Sequence, residues 1–336
     1  MNVERREFIQ KSGVLTGGIA LGLSGKCESR SDLKNPSVVY GGEKSRVSIS
    51  HRTDLRNANS SIHGEKVQRL LDAAIENLYQ EKYPKVWSHL FNKNDVVGLK
   101  INCLAGRGLS TSAELVDSVI ERLREAGVAK QNIIVWDRMD RDLEHAGFKI
   151  YRGKRKVQYY GTNRVGFTSR IFEYGAIGSL LSRILYDQCT AIINMPILKD
   201  HGIVGISVGL KNFFGVINNP NKYHDDVGDP YVADVNMIPA IRKKTRLTIC
   251  DALTPQYEGG PPYQPQWTWQ MDSVIAATDM VAMDYTGWQI IEKKRKEAGL
   301  ESLKEAGREP TYIATAADSQ HRLGTDDPTR IDVVKG

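Results

Sequence analysis

One stretch, residues 192–226, holds a dense set of side chains able to do chemistry. It reads IINMPILKDHGIVGISVGLKNFFGVINNPNKYHDD. Two lysines, Lys199 and Lys211, share it with two histidines, His201 and His224. Gly202, Gly205 and Gly209 are interleaved, Asn212 follows Lys211, and Asp225 and Asp226 close the run. Lysine inside an apolar segment either snorkels to water or meets an anion. Glycine lets a backbone come close to a ligand, and imidazole moves protons near neutral pH. Taken singly, each residue reads as a solvated side chain or a tight loop. Taken together they read as a site for a small anion.

The elements that must position them follow from apolar patterning. Ala191–Ile193 is an apolar run of the kind that makes a buried strand, which Asn194 and Pro196 are expected to end. Strands are also expected at Asp95–Ile101, Ile133–Trp136, Leu247–Cys250, Val274–Ala277 and, near the ends of the chain, Val38–Tyr40 and Tyr312–Ala314. Apolar spacing predicts helices over Glu65–Leu78, Ala113–Ala126, 177–189, Val232–Ile241 and Met280–Lys296. Thr111 or Ser112 is expected to cap the second of these, and Gly127 to stop it. Lys100 and Asn102, Asp137, Lys199 and His201, Asp251 and Asp279 each follow a strand. In a parallel sheet such ends gather on one edge, where α/β folds bind ligands, although Asp279 also fits a plain helix cap. The segment Thr254–Gln270, with two glycines and Trp267 and Trp269, reads as a lid. The basic run KIYRGKRK (149–156) reads as a solvated hairpin able to touch phosphate or an anionic surface. The expected fold is α/β, a mostly parallel sheet with flanking helices, arranged as two lobes with a cleft.

The chain has 336 residues and a net charge of +6, too mild to point to nucleic acid. Arg5-Arg6, Phe8 and the apolar run Ser12–Leu23 read as a twin-arginine export signal over residues 1–25. The run is too short for a stable membrane span. It implies the export machinery as a partner and a periplasmic or extracellular destination. Residues 26–37 read as a linker, 38–320 as the α/β domain, and 321–336 as a frayed tail. Cys27 sits in a lipoprotein-like box that Lys26 spoils. Cys103, Cys189 and Cys250 lie beside strands and read as buried thiols. Four scattered cysteines without a C-x-x-C pair leave no iron–sulfur cluster expected.

NMPILKDHG, GLKNFFG, the later His224, TICDAL with GGP, and ATDMVAMD occur in an order that resembles the domain-of-unknown-function 362 family. Lys100-x-Asn102 and AGV…NIIVWD fit it as well, so the resemblance runs over residues 95–292. Some relatives carry cysteine-rich ferredoxin-type segments, and this chain has none. The order His201, Lys211, His224 is also similar to the nickel-pincer lactate racemase family. That resemblance implies His201 as a general base, Lys211 as a cofactor tether or phosphate contact, and His224 as a metal ligand, with Asp225 or Asp226 beside it. The racemase His-Arg-Pro motif is replaced here by Asp137-Arg138-Met139, so a second base would be Asp137 or Lys100.

Three functions follow as expectations. The first is an exported enzyme acting on a small anion, with His201, Lys199, Lys211 and Asp137 catalytic. Lys100, Asn102, Lys211, Asn212, Gly202 and Gly205 would then bind a cofactor or substrate. The second is a binding protein without catalysis, using the same lysines. The third, an iron–sulfur redox protein, is disfavoured by the cysteines.

Overall fold

The computed structural model describes residues 44–336. The export segment, Cys27, the linker and the strand expected at Val38–Tyr40 lie outside the described residues.

The chain begins with β1 (Ser45–His51), α1 (Gly64–Tyr79) and α2 (Lys85–Leu90). β2 (Val97–Ile101), α3 (Ala113–Glu125), β3 (Ile133–Trp136) and α4 (Asp140–Ala146) follow. Next come β4 (Gln158–Tyr159), β5 (Phe172–Tyr174), β6 (Ile177–Ser179), β7 (Ala191–Met195), β8 (Ile197–His201) and β9 (Gly205–Ser207). Three helices, α5 (Gly209–Asn212), α6 (Tyr231–Met237) and α7 (Pro239–Lys244), lead to β10 (Thr245–Gln256). β11 (Ser273–Ala277), α8 (Met280–Glu297), α9 (Tyr312–Ala317) and β12 (Ile331–Lys335) finish it.

The main sheet runs β12-β1-β11-β10-β7-β2-β3-β4, with β8 beside β10 and β9 beside β8. Pairs from β10 through β7, β2 and β3 to β4 are parallel, while β11 is antiparallel to both neighbours. This is the mixed, mostly parallel α/β fold that the β-α-β pattern predicts. Strand side chains alternate between faces, so the sheet separates two cores. Leu99, Val135, Ile193 and Ile249 belong to one, and Ile134, Ile192, Cys250 and Ile275 to the other. α1 buries Val67, Leu70, Leu71, Ala74, Ile75 and Leu78 against the first core, the six apolar positions that define its helical spacing. Separate lobes are not seen: the described residues fall in one compact unit, built on the ten-stranded sheet with a small antiparallel β5-β6 pair as a second sheet. Among the described residues no helix is long and apolar enough to cross a membrane.

Several elements differ from expectation. Pro196 ends β7, but the chain resumes as β8, so Lys199 and His201 lie on a strand rather than in a loop. Pairing with β10 and β9 supplies the hydrogen bonds that a lone pentapeptide lacks. Residues 177–189 form β6 and a π-helical turn instead of one helix. Pro239 splits Val232–Ile241 into α6 and α7, because proline cannot donate within a helix. Tyr312–Ala314 is helical, and the tail expected to fray supplies β12, which pairs with β1. The expected lid is firmly tied: β10 runs on to Gln256, whose side chain bonds Pro262 O and Gln264 N.

Asp279 follows β11, whereas Asp251, expected to follow its strand, lies in the middle of β10 because that strand continues to Gln256; both serve the scaffold. Asp279 caps α8 through Val281 N and Ala282 N. Asp251 does not join the lysines; its Oδ2 accepts from Ser112 N at 2.8 Å and Ser112 Oγ at 2.6 Å, which anchors the start of α3 to β10. Asp251→Ala strands these partly buried donors and the buried Leu253 N, which donates to Asp251 Oδ1 at 3.0 Å, and is expected to cost about 1–3 kcal/mol. Urea unfolding should show a lower midpoint with an unchanged slope.

Candidate functional site

β2 reads VGLKI, with Val97, Leu99 and Ile101 in one core and Lys100 on the opposite face. Register sets Lys100 beside Trp136 of β3 and Asn194 of β7. A polar pair therefore lies in an otherwise apolar sheet face, and buried polar groups need partners. α5 supplies them. Asn212 Nδ2 donates to Asn194 Oδ1 at 2.7 Å and Lys100 O at 3.0 Å, while Asn194 Nδ2 donates to Gly209 O at 2.8 Å. This four-residue helix is held by Asp284 of α8, whose carboxylate accepts from Gly209 N at 2.7 Å and Leu210 N at 3.2 Å.

Lys100 Nζ donates to Asp137 Oδ1 at 2.8 Å and to Ile101 O at 2.6 Å. Asp137 Oδ2 accepts from Cys103 N at 2.7 Å. Asn212 Oδ1 accepts from Asn102 Nδ2 at 3.2 Å, and Asn102 Oδ1 in turn accepts from Lys199 Nζ at 3.2 Å. Asp137, Lys100, Asn212, Asn102 and Lys199 thus form one connected chain across the ends of β2, β3 and β8. Leu104, Ile203 and Tyr263, large apolar side chains that are exposed, stand on three segments that converge near Lys199.

The second half of the site is Lys211, His224 and His201. Lys211 Nζ lies 3.2 Å from His224 Nε2 and 4.1 Å from the centre of the Phe214 ring. His224 Nδ1 faces Pro220 O at 3.0 Å, a pure acceptor, so Nδ1 carries the proton and Nε2 the lone pair. The rings of His201 and His224 stack at 5.4 Å. His201 Nδ1 receives Ile203 N and Val204 N, each at 3.3 Å, so in the neutral ring the proton sits on Nε2.

Charge balance is the notable feature. Lys199 is 1% exposed and Lys211 8%. Lys100 is paired with Asp137, but neither Lys199 nor Lys211 forms an ion pair among the described residues. Burial, then the neighbouring Lys199 and Lys100, pulls the Lys211 ammonium down to about 7. Burial lowers Lys199 to about 8 against the pull of Asp137. Burial, with Lys211 next, takes His201 down to about 2 and His224 to about 4. Both imidazoles are neutral at physiological pH.

Asp225 is exposed, beyond His224. Among the described residues no group of three or more His, Cys, Asp or Glu is disposed to hold a metal ion. What approaches the two glycines expected at a ligand is this chain's own backbone. A Cβ on Gly202 would lie 2.9 Å from Gly260 O, and one on Gly205, at φ +81°, would lie 2.4 Å from Arg308 O. The sequence reading missed the support beneath β8. Asp200, fully buried, binds Arg308 and accepts from Gly260 N at 2.9 Å, and Glu258 binds both Arg295 and Arg308. No local spacing signals an ion pair between residues 108 positions apart. Gly215 was missed as well.

A Cβ on Gly215 would lie 2.8 Å from Lys100 Cε, 2.9 Å from Nζ and 3.1 Å from Asp137 Oδ1. Gly215→Ala is expected to press on the buried ion pair and cost about 1–3 kcal/mol. Gly64→Ala, where nothing lies within 4 Å, should be neutral or slightly stabilising. Thermal unfolding of the two variants against wild type checks this.

No curated protein matches the chain. A crystal structure of a protein from Thermotoga maritima aligns with a TM-score of 0.42 and 12% identity, over 71% of this chain and 60% of that one. The chain thus spans about 60% of the length of that structure. The family model described as Domain of unknown function (DUF362) matches residues 97–289, which include β2, β8, α5, His224 and β10, and the chain belongs to that family.

Proposed function

We propose that this chain is an enzyme that binds a small anionic substrate between Lys199 and Lys211 and moves protons on it. The observation that carries the reading is the pair of buried lysines without a carboxylate. Burying an ammonium without a counter-ion is unfavourable, and a bound anion would remove that penalty for both.

The roles follow from the hydrogen bonds. Lys199, protonated, would hold the anion, and Lys211 would add to that hold whenever it carries its proton. His224 Nε2 and Lys211 Nζ would share one proton and pass it to or from the substrate. A base near neutral pH is what acid–base catalysis needs, and Lys211 at about 7 meets that better than either histidine. With Nδ1 receiving two backbone N–H groups, His201 serves better as an Nε2–H donor to a substrate oxygen than as the base. Lys100, Asp137, Asn102 and Asn212 would hold the lysines in position. His224 Nε2 could reach a metal, but one imidazole is fewer than the three protein ligands of a usual catalytic zinc site. The donor set therefore fits a cofactor that brings its own ligands better than a metal held by protein alone. Export rests on residues 1–25 and is proposed on that motif alone.

Affinity for an anion should follow the lysine protons. Below pH 7 both amines are charged. As pH rises through about 7 and then about 8, Lys211 and Lys199 lose their protons, so affinity should fall at least tenfold between pH 6 and pH 9. Calorimetric titration with phosphate and with 2-hydroxy and 2-oxo carboxylates tests this, and Lys211→Ala and Lys199→Ala should each weaken binding tenfold or more. Affinity independent of pH and of both lysines would refute the site. Catalysis is read separately by NMR of the bound carboxylate in deuterated water. Exchange of the hydrogen beside the carboxylate, lost in Lys211→Ala, supports an enzyme, and tight binding without exchange for any of them leaves an anion-binding protein.

In the free protein the same lysines oppose folding. The unfolded chain keeps its lysine protons to about pH 10.4, whereas the folded chain gives up that of Lys211 at about 7. Between those values the unfolded state binds more protons, so stability rises with pH there. Lys211→Met should therefore be more stable than wild type at pH 6.5, with the advantage shrinking by pH 9.5. Urea unfolding at both pH values checks it.

A further inference from the structure

At the other ends of the same parallel strands lies a cleft of about 610 Å³, within the range of small-molecule sites. Gln131 and Asn132, just before β3, Gln158 at the start of β4, and Gln188, shortly before β7, supply its amides. Arg152 and Lys154 of the basic run supply its charge. At about 3.3 Å per residue, these strands put it some ~13–16 Å from the lysine site.

Parts of the cleft are held in place. The Arg152 guanidinium lies 5.5 Å from the centre of the Tyr160 ring, and the Tyr160 hydroxyl donates to Gln188 Oε1. That leaves the Gln188 amide N–H groups for a ligand. Gln158 Nε2 donates to Gln131 O at 2.8 Å, which orients its free carbonyl. The charge is uncompensated. Lys149, Arg152, Lys154, Arg155 and Lys156 are all exposed. Neighbouring ion pairs join Arg141 to Asp142 and Arg164 to Asp140, and none of the five cations takes part in one among the described residues.

We infer that this cleft is a second binding site, for a small molecule bearing at least two phosphate-type charges. Arg152 is the fork that matches phosphate oxygens, Lys154 adds a point charge, and Lys149, Arg155 and Lys156, close to them in sequence, add to the local positive charge. The amide donors and acceptors of the cleft would hold the neutral part of the ligand. The inference stands apart from the lysine site and does not need it.

Calorimetric titration of the protein with pyrophosphate at low ionic strength tests it. Saturable binding is expected, weakened at least tenfold in Arg152→Glu/Lys154→Glu and in the milder Arg152→Gln/Lys154→Gln. It should persist in Lys211→Ala, and fall with added salt as exposed charges are screened. Both substituted side chains are exposed, and an unchanged circular dichroism spectrum would show that the variants fold. Absence of pyrophosphate binding, binding untouched by both double variants, or binding lost in Lys211→Ala would each overturn the inference.

Discussion

Burying more positive than negative charge beneath the end of a sheet is the constraint on which the rest of this site depends. Lys100 meets Asp137 and is satisfied. Lys199 and Lys211 have neutral partners only, an asparagine, a proline carbonyl, an imidazole and an aromatic face. A stable fold normally avoids this arrangement, because paired or hydrogen-bonded burial costs less. On the proposed reading, the free protein gives up stability for a ligand that completes the charge.

The fold is arranged to hold that imbalance rigidly. α5 is too short to stand alone, and Asp284 of α8 fixes its first turn from the other side of the sequence. Asn212, at its other end, acts as both donor and acceptor and ties β2 to β7. β8 carries Lys199 and His201 on a strand backed by two arginines and two carboxylates. The segment Thr254–Gln270 is pinned to β8 by Gly260 N donating to Asp200 Oδ2 at 2.9 Å, and beside it Gly202 N donates to Gly260 O at 2.8 Å. Such a site selects by preorganisation more than by closure.

The sequence made the lysines legible and their partners much less so. Lys100 stands out because VGLKI alternates, and Asn212 because it interrupts an apolar segment beside Lys211. The parallel sheet followed from the β-α-β pattern around α3, whose length and stop signal are local. What stayed hidden depends on contacts distant in sequence. β8 exists because β10 and β9 pair with it, β12 because β1 does, and neither strand is announced by its own residues. Asp137 and Asp251 look alike in sequence, each just after an apolar run, yet one meets a lysine and the other, inside β10, a serine. The tautomer of His201 is hidden for a similar reason: the backbone amides of residues 203 and 204 select it, and a turn of that shape has no signature in residue types.

The central claim is that Lys211 is a buried amine without a counter-ion. The direct measurement is a pH titration of its side chain by NMR, using protein with isotope-labelled lysine and Lys211→Arg to assign the signal. The account predicts a midpoint near 7 in the free protein, moving upward when an anion binds at the site. A midpoint near 10.4, the value of a free lysine, unchanged by anions, would contradict it.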